Sequence, residues 1–199
     1  MITKVVAIVG SYRKGGTIDH AVEALLMGVR EKGAVTQTIH LIDEPIEFCT
    51  NCRKCTQQPG RERGQCEQRD ALESTLLSIE SASAVVLASP VNFYNVTAVY
   101  RRFLERTIGY TYQPLGRHTP MLRNPMPRKK AVLVASAGMP SFFIPLCTGA
   151  AKALRLSAKM LGAKPVSTLW IGRAHGESRN VPSATTLERA RYIGWKLVS

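Results

Sequence analysis

Five short strand-like runs, at residues 5–9, 35–41, 84–89, 131–136 and 166–171, several of them continuously apolar, recur along the chain with helix-spaced patterns between them. This alternation constrains the fold more than any other feature. Apolar runs that do not alternate with polar residues belong to strands buried on both faces. A parallel sheet provides that setting, because its crossover helices cover both sides. Between the first two runs Ile18, Val22, Leu25, Leu26 and Val29 mark one helical face, and Gly33 supplies the stop. A second helix is expected from Asp70, capped by that carboxylate with Glu73 reaching back, turning Leu72, Leu76 and Ile79 inward. A third is expected over about 96–107, with Val96, Val99, Tyr100 and Phe103 on one face. An alanine-rich fourth spans about 144–161, with Gly149 as a close-packing point and Cys147 as buried packing. The last covers about 183–198, with Ser183 as its cap after Pro182.

Five strands and five helices in alternation describe an α/β fold, a three-layer doubly wound sheet of five parallel strands, in one domain over 1–199. No Pro/Ser-rich linker or charge run divides the chain, and its 45% hydrophobic content is enough for one substantial core. Ligands of such sheets bind beyond the carboxyl ends of the strands, where strand order reverses. In a 2-1-3-4-5 order the segments after the first, third and fourth strands lie side by side. They are Gly10 to Thr17, Ser89 to Asn95, and Ser136 to Pro140.

The first of these, Gly10-Ser11-Tyr12-Arg13-Lys14-Gly15-Gly16-Thr17, joins an apolar strand to a helical pattern. A Gly-rich turn at that junction aims backbone N–H groups and the positive end of the helix dipole at one spot, which suits a phosphate. Arg13 adds a guanidinium fork. Gly16 stands where a nucleoside-triphosphatase loop needs its lysine, and Gly10, Gly15 and Gly16 lack the Gly-x-Gly-x-x-Gly spacing of a dinucleotide fingerprint. A monophosphate fits the loop better, with a ligand-free Gly-rich turn as the alternative. The middle segment combines a Pro-fixed backbone, amides and the aromatic faces of Phe93 and Tyr94, which suit a flat heteroaromatic ring.

Lys and Arg number 27 against 14 Asp and Glu, a net charge of +13 that favours anionic ligands. The cations are scattered, with no basic stripe interleaved with aromatics, so nucleic acid is not the expected partner. No apolar stretch approaches about 18 residues, and no leader pattern opens the sequence. A soluble cytoplasmic protein without membrane contact is expected.

Taken together, Gly10-Ser11-x-Arg13-Lys14-Gly15-Gly16, Ser89-Pro90-Val91-x-Phe93 and a set of four cysteines resemble the flavodoxin-like NAD(P)H-dependent FMN reductase family, which includes the iron-sulfur flavoproteins. The resemblance implies FMN as cofactor and NAD(P)H as electron donor. By it Ser11, Arg13, Gly16, Thr17 and Ile18, with Gly15 in the same loop, would hold the FMN phosphate. Pro90, Val91, Asn92, Phe93, Tyr94 and Asn95, with Ser136, Ala137 and Gly138, would border the isoalloxazine. Thr17-Ile18 replaces the Asn-Thr frequent in relatives, Tyr94 stands where many have glycine, and Asn92 where they often have tyrosine. Relatives are commonly dimers or tetramers, so a homodimer or homotetramer is implied.

Cys49-x2-Cys52-x2-Cys55-x10-Cys66 places four of the five cysteines within 18 residues, where the iron-sulfur flavoproteins carry their cluster ligands. Soft thiolates at this spacing suit a 4Fe-4S cluster or zinc, with free or redox-active thiols as the alternative. Two functions follow. One is an FMN-dependent oxidoreductase passing electrons from NAD(P)H to a quinone, flavin or similar acceptor. The other is an iron-sulfur flavoprotein serving as an electron carrier to a small molecule or protein. Neither needs a side-chain nucleophile or base, so His20, His40, His118 and His175 read as ordinary residues. The Pro-rich segment 109–128 reads as a cover over the flavin or an interface arm, with a plain surface loop as the alternative.

Overall fold

The computed structural model describes residues 3–174 and 181–199. Strand β1 (Lys4–Val9) leads through the Gly-rich turn to helix α1 (Thr17–Arg30) and strand β2 (Val35–His40). A long loop holding a short helix, α2 (Lys54–Gln57), precedes helix α3 (Leu72–Glu80) and strand β3 (Ala84–Asn92). Strand β3 turns back as β4 (Asn95–Val96) into helix α4 (Ala98–Arg106), followed by the small strands β5 (Thr111–Tyr112) and β6 (Met121–Leu122). Strand β7 (Lys129–Ser136), helices α5 (Ile144–Cys147) and α6 (Ala150–Met160), strand β8 (Ala163–Ile171) and helix α7 (Ala184–Leu197) complete the described elements.

The main sheet runs β2-β1-β3-β7-β8 with every neighbouring pair parallel, which is the expected 2-1-3-4-5 order of a flavodoxin-like fold. Register pairs Val5 with both Thr36 and Ala84, and Leu87 with Leu133. Side chains alternate between two cores. Val6, Ile8, Val85, Leu87 and Leu133 pack under α3, α4 and α6, whereas Val5, Ala7, Val9, Val86, Val132 and Val134 pack under α1 and α7. The inner strands are therefore apolar on both faces through their central stretches, 5–9, 84–88 and 131–135, as a doubly covered sheet requires. Only the short β4 is antiparallel to β3, and β5 and β6 form a separate two-stranded ribbon.

Helix ends show where local sequence decided the outcome. Gly33 adopts φ +76 just past α1, and Ser183 caps α7 by accepting the Thr186 N–H at 3.3 Å. The expected capping box at Asp70 is half realised. Asp70 accepts the Leu72 N–H at 2.9 Å, but Glu73 pairs with Arg63 at 2.8 Å and does not reach back. The expected continuous helix over 144–161 is broken. Thr148 is extended between α5 and α6, its hydroxyl donating to the Ile144 carbonyl at 2.6 Å, and the break leaves Cys147 exposed, not buried. Gly149 is the close-packing point expected, since a Cβ there would lie 2.8 Å from the Asn95 amide. No described helix is long and apolar enough to cross a membrane.

Candidate functional site

The loops after β1, β3 and β7 leave adjacent strands at one edge of the sheet, and hydrogen bonds join the first two. The Gly10 N–H donates to the Ala88 carbonyl at 2.8 Å. Thr97, fully buried, donates its hydroxyl to the Gly10 carbonyl at 2.6 Å, while its own N–H reaches the buried Ser89 hydroxyl at 3.1 Å. Its oxygen also accepts the Tyr100 N–H at 3.2 Å, capping α4. Thr97 thus fixes two site loops and starts a helix. Sequence reading missed it; a threonine just before a helical pattern was the available signal. Gly10 also serves a purpose other than anion approach, because a Cβ there would fall 2.6 Å from the Tyr100 ring.

Within the first loop Ser11 is buried and satisfied locally, donating to the Arg13 carbonyl at 2.9 Å and accepting the Arg13 N–H at 3.1 Å. Gly15 sits at φ +68 and donates its N–H to Asp19 at 2.7 Å, so Asp19, also missed in the sequence, braces the turn. Gly16 opens α1 with no side-chain cap. Ile18 is buried in the core, so only its backbone N–H is available to a ligand, and Thr17 precedes it in the first helical turn. Arg13 is exposed and makes no ion pair among the described residues, whereas its neighbour Lys14 pairs with Asp43 at 2.7 Å. An uncapped helix end, a tight glycine turn and an unengaged guanidinium fit a phosphate ester.

The second loop is a hairpin. Asn92 pairs with Asn95 across a two-residue turn in which Phe93 (φ +46) and Tyr94 (φ +63) are both left-handed. That conformation explains why glycine is frequent at the Tyr94 position of relatives. Phe93 is 96% exposed and Tyr94 67%, so both rings offer free faces and neither packs the loop down. The exposed Asn95 accepts the Val96 N–H at 2.8 Å with its side-chain oxygen and packs its amide against Gly149, and the Tyr94 carbonyl accepts the Gly149 N–H at 2.7 Å. Pro90 and Val91 are half-buried at the end of β3, with Asn92 exposed beside them. In the third loop Ser136 and Ala137 are buried and Gly138 is exposed, and the Ala137 N–H donates to the Ile171 carbonyl at 2.9 Å.

The cysteine loop is held by different means. Left-handed Asn51 and Arg53 flank Cys52 and wind Cys49, Cys52 and Cys55 into one tight segment. Arg106, at the end of α4, donates to the Glu47 carbonyl at 2.6 Å, to Asp70 at 2.7 Å and to the Cys66 sulfur at 3.4 Å. The Asn51 N–H points to the Cys49 sulfur at 3.4 Å. Burial pushes the Cys55 thiol up, and Cys66, Cys49 and Cys52 push it further in the same direction, which puts the four sulfurs in one electrostatic neighbourhood. Against the burial that would raise it, the Asp70 carboxyl is held below the usual carboxylate range by Arg106 and by the Glu47 and Leu72 amides. Buried Arg123 donates to the carbonyls of Gly60 (2.9 Å), Cys55 (3.0 Å), Gly109 (3.0 Å) and Thr111 (3.1 Å), and burial lowers its pKa.

Arg123 belongs to the segment expected to cover the flavin or form an arm. Its hydrogen bonds tie it instead to the cysteine loop, together with the Gln113 N–H to the Thr56 carbonyl at 2.8 Å and Asn124 to the Arg61 carbonyl at 2.9 Å. Four thiols with amide and guanidinium donors aimed at two of them suit a thiolate-bound group in chemistry and number. As they stand, no three metal-binding side chains among the described residues converge on a single ion position. The histidines form no set among the described residues: His40 lies 3.9 Å from Asp19, His118 is exposed, and His175 lies outside the described residues.

A family model described as NADPH-dependent FMN reductase matches residues 3–177. An iron-sulfur flavoprotein of Archaeoglobus fulgidus is 34% identical over 111 residues, covering 56% of this chain and 48% of that protein. An iron-sulfur flavoprotein of Methanocaldococcus jannaschii is 31% identical over 104 residues, covering 52% of this chain and 51% of that protein. The chain thus aligns with about half the length of these curated relatives. Among solved structures, an NAD(P)H:quinone oxidoreductase from Methanothermobacter marburgensis superposes with a TM-score of 0.71 at 19% identity, covering 100% of this chain and 98% of that one. An azoreductase from Bacillus anthracis gives 0.70 at 17% identity, covering 98% and 100%. At such identities these two establish the shared fold.

Proposed function

The chain belongs to the NADPH-dependent FMN reductase family, and from that premise we propose that it binds FMN at the three adjacent loops and passes electrons from NAD(P)H to a quinone, flavin or similar acceptor. The observation that carries this reading is the first loop, where α1 starts at Gly16 without a side-chain cap and Arg13 makes no ion pair among the described residues, next to the hairpin that presents Phe93 and Tyr94. FMN, when bound, supplies hydride acceptance and onward electron transfer. The residues of this chain bind and orient it. Arg13 and the backbone N–H groups of Gly16, Thr17 and Ile18 hold the phosphate, and Ser11 and Asp19 keep that loop in shape. Pro90, Val91 and Asn92, with Ser136, Ala137 and Gly138, wall the ring, and the exposed aromatic rings of the hairpin shield it from water.

A second reading is favoured by the sulfur contacts of Arg106 and Asn51: Cys49, Cys52, Cys55 and Cys66 hold a 4Fe-4S cluster, and the protein works as an electron carrier. A cluster, when bound, supplies one-electron transfer. The exposed apolar side chains Phe93, Phe142 and Leu146 near the flavin loops support a homodimer or homotetramer. Turnover tests the first reading: FMN-loaded protein is expected to oxidise NADPH or NADH steadily when a quinone is supplied. Absence of oxidation with any of several quinones, azo compounds and free flavins contradicts it. Iron and acid-labile sulfide in anaerobically purified protein test the second, and absence of both removes it.

A further inference from the structure

A groove of about 420 Å³ lies where the segment after β7 meets the end of β8 and the start of α7; it shares only Pro140 with the three loops and nothing with the cysteine loop. Its size is that of a small-molecule site. Arg173 and Arg189 line it together with the aromatic rings of Phe142 and Trp170, and no carboxylate among the described residues lines it. Both arginines are exposed and make no ion pair among the described residues. The stretch that supplies most of its lining is correspondingly one-sided, with no Asp or Glu between Glu105 and Glu177, although Glu188 adjoins Arg189 on α7.

Arg173 is also strained. It holds φ +57, a conformation open to glycine and unfavourable for a side chain with a Cβ. Its N–H donates to the Met139 carbonyl at 3.0 Å, a bond that glycine would make equally well. Nothing in the fold therefore asks for arginine there, and strain kept without a packing reason points to a ligand.

The groove is rigidly joined to the wall of the flavin site. Ala137 donates to the Ile171 carbonyl at 2.9 Å, and Ala174 donates back to the Ala137 carbonyl at 2.9 Å. Between them Gly172 lies so close to the β7 segment that a Cβ would fall 2.3 Å from the Ser141 nitrogen. A ligand in the groove is thus held at a fixed position relative to Ser136, Ala137 and Gly138. Two guanidinium forks beside aromatic faces select a phosphomonoester carried on a heteroaromatic nucleoside. In dinucleotide sites generally, an arginine is what accommodates the 2′-phosphate that separates NADPH from NADH.

We propose that this groove binds the adenosine 2′-phosphate end of NADPH, and that Arg173 and Arg189 make the protein prefer NADPH over NADH. This rests on the reading of the chain as an NAD(P)H-dependent flavin reductase. The test uses FMN-loaded protein with each nucleotide in turn. Arg173→Ala and Arg189→Ala are each expected to raise the KM for NADPH about tenfold or more, the loss of one charge-assisted contact, with kcat and the KM for NADH unchanged. Arg173→Gly is expected to weaken NADPH equally while raising the melting temperature, because it relieves the strained backbone; a purely structural arginine would give the rise without the loss. Arg191→Ala, on the same helix but paired with Glu31 at 2.7 Å, is expected to change neither nucleotide. Equal effects on NADPH and NADH, or no effect on either, overturn the proposal. Wild-type protein that oxidises neither nucleotide overturns the functional reading instead. In that case calorimetric titration with adenosine 2′-phosphate decides the groove: binding that both alanine substitutions weaken supports it, and no binding overturns it.

Discussion

The flavin loops and the cysteine loop are both irregular backbone at the ends of strands, yet opposite chemistry holds them in place. The flavin loops are fixed close to the strand ends by the buried hydroxyls of Ser89 and Thr97, with the Asp19 carboxylate accepting the Gly15 N–H and a strained hairpin tip left in water. The cysteine loop is fixed by two buried arginines that arrive from α4 and from the segment after it, 40 residues beyond Cys66 and 68 beyond Cys55. Helix α4 joins the two regions, starting at Thr97 in the flavin site and ending at Arg106 in the cysteine loop; its nine residues span about 13 Å. A site that must admit an anion keeps its cation free, as at Arg13. A loop that must hold sulfurs in place uses its cations as internal struts.

If the arginines are struts, removing one should cost far more than removing a flavin-site hydroxyl. Arg106→Met leaves Asp70 buried without its partner and is expected to cost about 3–5 kcal/mol in urea unfolding. FMN affinity should be unchanged in the folded fraction, and a loss of both together would break the separation of the two regions. The same pair has a pH signature. The folded pKa of Asp70 lies below its unfolded value, so its contribution is complete above about pH 4 and is lost as pH falls through the folded value. Wild type and Asp70→Asn should therefore converge in stability in acid and diverge towards neutrality; a constant gap would contradict the linkage.

Thr97→Val removes a helix cap and the tie to Gly10, and is expected to cost about 1–2 kcal/mol while weakening FMN binding. Here stability and affinity should move together, unlike at Arg106. The smallest effect is a gain. Tyr94→Gly relieves a left-handed residue and is expected to stabilise by roughly 1 kcal/mol, a rise of about 2–4 °C in melting temperature. If the exposed Tyr94 ring shields the flavin, the same variant should release FMN faster.

This contrast also explains what could be read in the sequence. The strands and the turn at Gly15 follow from strand-like runs and nearby glycines, so the fold and the side-by-side placing of the three loops in the expected strand order were legible. The ends of helices failed wherever a distant residue intervened. Glu73 left its capping box because Arg63 offered a bidentate partner. The helix over 144–161 broke because Gly149 had to meet Asn95 of the hairpin, and the break brought Cys147 to the surface. The segment 109–128 went to the cysteine loop because Arg123 ties the carbonyls of Cys55 and Gly60 there to those of Gly109 and Thr111 in its own segment, none of them adjacent to it in sequence. Thr97 and Asp19 lay within legible segments, but their partners, Gly10 across the sheet and Gly15 across the turn, became visible only in three dimensions.

The central claim is that the free cation of the first loop serves a flavin phosphate, and FMN titration of wild type against Arg13→Ala tests it most directly. Wild-type protein is expected to take up one FMN per chain, and Arg13→Ala to bind it about tenfold or more weakly, with no change in melting temperature of the FMN-free protein. FMN bound with equal affinity by both proteins, or by neither, would contradict the account.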